Sequence, residues 1–167
     1  SADFEDAEAA AEINWLLDLV SGIRSVRSEM NVPPSAIAPL VFVGAQAATR
    51  ERAARHDPAI RRLARVGEVG FAEHAPKGAA QIVIGEATAC LPLGDLIDLT
   101  AEAARLTREI AKNADDIGRI EKKLGNPQFV AKAAPEIVDA EREKLAELTE
   151  ARTRLETALS RVREAGE

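Results

Sequence analysis

A heptad repeat in the C-terminal part of the chain constrains its fold more than any other feature. From residue 99 to residue 124, positions that are apolar except at Asn113 follow one another in alternating steps of four and three, as the a and d positions of a coiled coil do. These positions are Leu99, Ala103, Leu106, Ile110, Asn113, Ile117, Ile120 and Leu124. At about 1.5 Å per residue, the run predicts a helix on the order of 40 Å long.

A second helical run of the same kind begins after Pro135. Its inward positions are Val138, Leu145, Leu148, Arg152, Leu155, Leu159 and Val162. The composition of Gly125-Asn-Pro-Gln-Phe129 predicts a turn between the two runs, so the two helices are expected to lie antiparallel. Asn113, Arg152 and, by the same count, Glu141 occupy seam positions, where polar residues usually fix the register at some cost in stability.

The N-terminal segment predicts another helix, from residue 7 to residue 30. Two neighbouring stripes place apolar side chains on more than one face of this helix. The first stripe consists of Ile13, Leu16, Leu17, Val20, Ile23 and Met30, and the second of Trp15, Leu19 and Val26. Such a helix is normally buried among several others, so we expect partner helices upstream of Ser1 in a longer protein. Pro33 and Pro34 end the helix.

Residues 35–97 predict a small α/β unit with a short mixed sheet. The predicted strands are Ala38–Gly44, Val69–His74, Ala80–Ile84 and Ala87–Leu91, the last two joined as a hairpin. Residues 46–56 predict one helix, and Asp57 as N-cap with Pro58 at the first helical position predicts a second that reaches Val66. The expected fold class is therefore α+β, with an N-terminal helix (1–34), the α/β subdomain (35–97) and a long antiparallel helical hairpin (98–167).

The residue types exclude several functions. Cys90, the single cysteine, lies in an apolar run and is expected to be a part-buried strand residue, and with only His56 and His74 besides it there is no zinc set. No glycine-rich phosphate loop or nucleophile elbow occurs, so we expect no catalytic site and no cofactor in these residues. The chain has no run of about 18 apolar residues and an acidic N-terminus, which predicts a cytoplasmic protein that does not associate with membranes.

The charges are unevenly distributed. A net charge of -6 ordinarily argues against a nucleic-acid partner, but residues 99–165 carry 13 basic and 13 acidic side chains. Arg105, Lys112 and Arg119 repeat every seven residues on an outward row, with Arg108 and Lys122 on the next. Such cations are typical of solvated coiled-coil surfaces with ion pairs at i,i+4. Alternatively, a row with a spacing of about 10 Å faces a phosphate backbone.

Three stretches resemble valyl-tRNA synthetases. Residues 120–145, which include Lys122-Lys-Leu-Gly-Asn-Pro-Gln-Phe129, look like the coiled-coil hairpin tip of these enzymes. Leu91-Pro-Leu-Gly-Asp-Leu-Ile-Asp98 resembles the segment that leads into their arm. Ile23-Arg-Ser-Val-Arg-Ser-Glu-Met-Asn-Val-Pro-Pro34 is similar to the helix that ends their anticodon-binding bundle. Together the stretches span nearly all of the chain in the family's order.

The resemblance implies a C-terminal fragment of such an enzyme, which charges tRNA(Val) with valine. The family's catalytic signatures H-I-G-H and K-M-S-K-S do not occur here, so catalysis, with ATP and magnesium, belongs to upstream domains, as does editing. In the family, the arm holds the outer corner of the tRNA, where the D and T loops meet. The resemblance further implies a cytoplasmic parent protein that is a monomer.

Residue roles follow from the resemblance together with the charge pattern. The predicted tRNA-binding residues are Arg105, Arg108, Lys112, Arg119, Lys122, Lys123 and Arg154 in the arm, and Arg24 and Arg27 in the first helix. For Arg24 and Arg27 an ion pair within the bundle is an equal alternative. Arg152 either extends to the tRNA or packs its stem against Ile110, and Phe129 is expected to close the hairpin tip rather than stack on a base.

Two interpretations from other classes stay open. The hairpin can be a self-associating or partner-binding structural element, whose imperfect seam opens to pair with another copy. A small enzyme in its own right is the third interpretation, and it lacks any recognisable site.

Overall fold

The computed structural model describes all 167 residues, which form six helices and one four-stranded sheet. The elements are α1 (Ala2–Glu29), β1 (Ala38–Val43), α2 (Ala47–Arg55), α3 (Asp57–Ala64), β2 (Val66–Ala72), β3 (Ala79–Ile84), β4 (Ala87–Pro92), α4 (Leu99–Leu124), α5 (Pro127–Lys132) and α6 (Pro135–Gly166). The predicted α+β class is confirmed. The chain divides into two compact units, residues 1–102 with 161–167, and residues 103–160. None of its helices is both long and apolar enough to cross a membrane.

The sheet of the first unit has the strand order β2-β1-β4-β3. β1 and β2 pair in parallel, which requires a crossover, and α2 and α3 supply it. β4 pairs antiparallel with both β1 and β3. The tight turn between β3 and β4 places Gly85 at a φ of +61°, a conformation that glycine adopts without strain. The short mixed sheet predicted from the sequence is therefore present.

α1 packs on one face of this sheet. Strand register aligns Phe42 of β1, Ala89 of β4 and Ile82 of β3 in one row across it. The ring of Trp15 stacks on Phe42 with centroids 6.0 Å apart. Farther along α1, a Cβ at Gly22 would lie 3.0 Å from Cγ2 of Ile82. The missing side chain at Gly22 therefore allows helix and strand to approach closely.

One side of α1 is left without cover. Leu19 and Ile23 are fully buried, whereas Ile13 is 50% and Leu17 56% exposed. These two apolar residues lie four apart, on the same side of the helix. We call Ile13 and Leu17 the outer face of α1.

Several predicted boundaries were wrong. β2, predicted over Val69–His74, runs from Val66 to Ala72. α1 begins at Ala2, where the Ser1 hydroxyl accepts the N–H of Phe4 at 3.3 Å. Asp57 is inside α3 rather than its N-cap, and its carboxylate accepts from Nε of Arg61 at 2.7 Å. α3 does not reach Val66, because Arg65 adopts a left-handed conformation with a φ of 54° and ends the helix.

The hairpin of the second unit also differs from expectation at its tip. The segment predicted as a turn, residues 125–129, includes the first three residues of α5, a helix of six residues. Asn126 caps it by accepting the N–H of Gln128 at 3.0 Å, and Pro127 occupies its first position. An Asn-Pro pair is both a turn signal and a helix start, so composition alone did not separate the two.

The polar seam positions behave differently from one another. Asn113 is buried, and its Nδ2 donates to the carbonyl of Leu148 across the hairpin at 3.0 Å. Arg152 is exposed, so its predicted place in the seam was wrong, and the neighbouring Ala151 is half-buried. A helix of 3.6 residues per turn drifts against a seven-residue repeat, so a position counted inward can turn to solvent.

Candidate nucleic-acid interface

The rotational orientation of α4 about its axis decides which of its side chains face solvent in the candidate interface. The carboxylate of Asp98 accepts the backbone N–H of Ala101 at 3.0 Å and caps the start of the helix. From there the apolar seam turns inward, with Leu106 and Ile117 buried. The predicted basic row consequently faces outward, with Lys112 exposed and the side chain of Arg119 72% exposed. The spacing predicted from the heptads thus corresponds to a solvent-facing edge.

Half of the predicted α4 cations already have acidic partners. Arg105 pairs with Glu109 at 3.0 Å, and Arg119 pairs with Asp116 within the same helix. Nζ of Lys123 lies 3.3 Å from a carboxylate oxygen of Glu141 on α6. Pairs on a solvated helix surface contribute only a few tenths of a kcal/mol. They can therefore exchange their acid for a phosphate, although part of their charge is neutralised beforehand.

The other predicted cations of α4 have no acidic partner. Arg108, Lys112 and Lys122 are exposed and form no ion pair within 4.0 Å. Arg154 of α6 is likewise exposed and without an acidic partner. These unpaired cations are the side chains most available to a polyanion, and their distinction from the paired ones is invisible in the sequence pattern.

The tip adds basic residues that were not among the predicted contacts. Lys132 at the end of α5 and Lys144 on α6 are exposed. A cleft of about 280 Å³ is lined by Asp116, Arg119, Ile120, Lys123, Glu141 and Lys144. The sequence signal was the local excess of Lys and Arg over acids near the tip, but it did not show which of them a cleft would bring together.

Phe129 is half-buried at the tip. Nζ of Lys123 lies 5.5 Å from the centre of its ring, within cation–π range. This arrangement fits the expected closing role, because the ring packs against the hairpin rather than projecting freely. It also gives Lys123 two partners, Phe129 and Glu141.

The two predicted arginines of α1 have contrasting environments. Arg24 is exposed, and its Nε donates to the carbonyl of Leu63 at 3.0 Å. Arg27 is only 7% exposed and donates to the carbonyls of Arg65, Pro33 and Ala36 at 3.3, 3.1 and 2.7 Å. Neither forms the ion pair that was the alternative prediction. Burial, and secondarily the charge of Arg65, lowers the pKa of the Arg27 guanidinium.

The thiol of Cys90 is unreactive because it is buried. Cys90 lies on β4, and it is fully buried rather than part-buried as its apolar context predicted. Burial and, to a smaller extent, the carboxylate of Glu164 raise the pKa of its thiol. The neutral thiol is the favoured form, so Cys90 acts as a small apolar core residue.

Comparison with known proteins links this geometry to a family. Residues 98–163 match a family model described as the valyl tRNA synthetase tRNA binding arm. The chain is 68% identical over 166 residues to a valine-tRNA ligase of Mesorhizobium japonicum, 62% over 162 residues to one of Brucella suis and 51% over 165 residues to one of Caulobacter vibrioides. These matches cover 97 to 99% of this chain but 18% of each relative. The resemblance inferred from the three stretches is confirmed.

Proposed function

We propose that this chain is the C-terminal tRNA-binding appendage of a valine-tRNA ligase, because residues 98–163 match the family model of the valyl tRNA synthetase tRNA binding arm. In this proposal it positions tRNA(Val) for ATP-dependent aminoacylation by a catalytic domain outside residues 1–167. ATP and magnesium act in that domain. The observation that carries the proposal is the set of exposed cations without acidic partners on a hairpin that matches the family's arm.

The proposed mechanism is electrostatic positioning. Arg108, Lys112 and Lys122 contact phosphates of the tRNA corner first, because they have no acidic partner to give up. Arg105, Arg119 and Lys123 add contacts by exchanging carboxylate for phosphate, and Arg154 contributes from α6. Backbone contacts of this kind fix orientation without reading sequence. Identity of the tRNA therefore has to be read elsewhere in the complete protein.

The first helix supports a larger assembly within one chain. The outer face of α1, Ile13 and Leu17, exposes apolar side chains, and this chain spans 18% of the length of its relatives. We place the upstream helices of an anticodon-binding bundle against this face, so that residues 1–34 form the last helix of that bundle. The complete protein is then a cytoplasmic monomer with the catalytic and editing domains upstream.

The arm's role is tested by charge removal. In the Arg108→Gln/Lys112→Gln/Lys122→Gln variant, affinity for a labelled tRNA(Val) transcript is expected to fall, measured by fluorescence anisotropy over a series of KCl concentrations. Since each phosphate contact contributes about one unit to the slope of log K against log salt, the slope should decrease by about two to three. The matched control, Arg50→Gln/Arg55→Gln/Lys77→Gln, removes the same charge from exposed positions of the first unit, outside residues 98–163.

Equal losses in the arm variant and the control would reject the arm as the contact edge. The structural alternative, a self-associating hairpin, predicts a dimer in sedimentation experiments and no salt-dependent binding of tRNA. The hydrogen bond from Asn113 to Leu148 closes the seam within one chain, which favours the proposed function over that alternative.

A further inference from the structure

A pocket in the first unit is lined by four arginines. It lies where the ends of α1 and α3 meet the segment after α1, and its volume is about 490 Å³. Its wall consists of Arg24, Arg27, Ser28, Asn31, Val32, Pro34, Arg62, Leu63, Ala64 and Arg65. No acidic side chain contributes to it. We call it the arginine pocket.

The charge in the arginine pocket is uncompensated. Arg24, Arg62 and Arg65 are exposed, and none of the four arginines forms an ion pair within 4.0 Å. Glu29, which adjoins the lining residue Ser28 in the sequence, pairs with Arg161 instead. Four cations around one concavity repel one another unless an anion enters.

The pocket is held in shape by Arg27. Its buried guanidinium binds the carbonyls of Arg65, Pro33 and Ala36, which ties the end of α3 to the segment after α1. A buried cation that has only carbonyl partners is costly, and the cost falls when negative charge is close by. The backbone of the pocket wall is also constrained at Arg65 and Asn31, which adopt left-handed conformations with φ values of 54° and 56°.

Arginine suits one ligand chemistry in particular. The planar guanidinium donates two parallel hydrogen bonds to phosphate oxygens and stays charged at neutral pH. The Nε of Arg24 is used on the Leu63 carbonyl, which fixes its orientation and leaves its terminal nitrogens available. Arg62 and Arg65, three residues apart, add two more guanidinium groups to the same concavity.

We propose that the arginine pocket binds a backbone phosphate of the same RNA, through Arg24, Arg62 and Arg65, with Arg27 as the positioning residue beneath them. The inference rests on the proposed function and adds a contact in the first unit to those of the arm. Arg62 and Arg65 were not among the residues that the sequence pattern indicated. As a phosphate contact, the pocket adds affinity and orientation without sequence preference.

The test compares matched triple variants of the 167-residue chain. Arg24→Gln/Arg62→Gln/Arg65→Gln is expected to lower affinity for the tRNA(Val) transcript at least fivefold more than the control Arg50→Gln/Arg55→Gln/Lys77→Gln. The Arg24→Lys/Arg62→Lys/Arg65→Lys variant keeps the charge but loses the paired guanidinium donors. Its affinity for tRNA should lie between those of the glutamine variant and the control. Circular dichroism verifies that all variants stay folded, and Arg27 is left unchanged because it holds the wall together.

Each outcome decides the proposal. If the pocket variant and the control bind equally while the arm variant loses affinity, the pocket inference is wrong and the proposed function stands. If the unsubstituted chain does not bind tRNA, both fail. Inorganic phosphate, added at constant ionic strength, is the remaining probe. If phosphate raises the melting temperature of the unsubstituted chain but not of the pocket variant, while both bind tRNA equally, the pocket binds free phosphate. That result would overturn the proposed RNA contact.

Discussion

Replacing Asn113 by leucine should stabilise the hairpin. Asn113 is 6% exposed in the seam; its Nδ2 donates to the Leu148 carbonyl at 3.0 Å, while its Oδ1 is buried without a partner. The substitution loses one hydrogen bond, about 1 kcal/mol net, but removes an unsatisfied oxygen that costs about 1–3 kcal/mol. A buried leucine adds about 1.5–3 kcal/mol, and fitting its larger volume costs about 1–3 kcal/mol. The free energy of unfolding should therefore rise by about 1–2 kcal/mol.

The assay is urea denaturation followed by far-ultraviolet circular dichroism. Thr107→Leu is the matched control, because Thr107 lies on the exposed side of the same helix and its change alters helix propensity by only a few tenths of a kcal/mol. A lower midpoint for Asn113→Leu than for the unsubstituted chain, or a gain no larger than that of the control, would refute the reasoning. Since a polar seam residue specifies register, the leucine variant should also form more dimer in sedimentation velocity.

Two further predictions concern the first unit and the arm. Hydrogen bonds from the Gln46 amide and the Thr49 hydroxyl lower the pKa of Glu86; its stabilising contribution is complete above the ordinary value of 4.5 and is lost as pH falls toward the depressed one. Acid denaturation curves of Glu86→Gln should accordingly be flatter below that pH, and an unchanged acid limb would contradict this. A methyl group added at Gly118 would meet open space, whereas one added at Gly22 would lie 3.0 Å from Ile82, so Gly118→Ala should raise the arm's melting temperature through a gain of about 1 kcal/mol. Gly22→Ala should give no comparable gain, and equal effects at both sites would show that the close packing of α1 is irrelevant.

The elements of this fold were largely predictable because they depend on local periodicity. The heptads located α4 and α6, and alternating apolar runs bounded by Pro or Gly located the four strands. The errors fell at the ends of elements, in α1, α3 and β2, where one or a few residues decide the boundary. The left-handed Arg65 that ends α3 has no sequence signal of its own, because arginine is not a residue that usually takes this conformation.

The pairing of strands could be predicted only in part. The β3–β4 hairpin follows from the short Gly-Glu connection at residues 85 and 86. The parallel partner of β1 depends on where α2 and α3 return the chain, and the close contact of Gly22 with Ile82 joins residues sixty positions apart. Such contacts leave no periodic trace in the sequence.

In the candidate interface, too, local periodicity predicts which side chains face solvent but not which side chains contact one another. Heptad phase predicts that Lys112 faces solvent, and it does. Phase does not reveal that Arg119 is paired with Asp116 while Lys112 forms no ion pair. Acids also follow Lys112 by three and four residues, so the difference depends on side-chain conformation rather than on the row. Nor does it reveal the arginine pocket, whose two pairs of arginines come from the ends of α1 and α3 and lie about forty residues apart in the sequence. A net charge of -6 is compatible with an RNA partner for this reason: in the proposed function, binding depends on the few cations that form no ion pair, and the net charge of the chain does not count them.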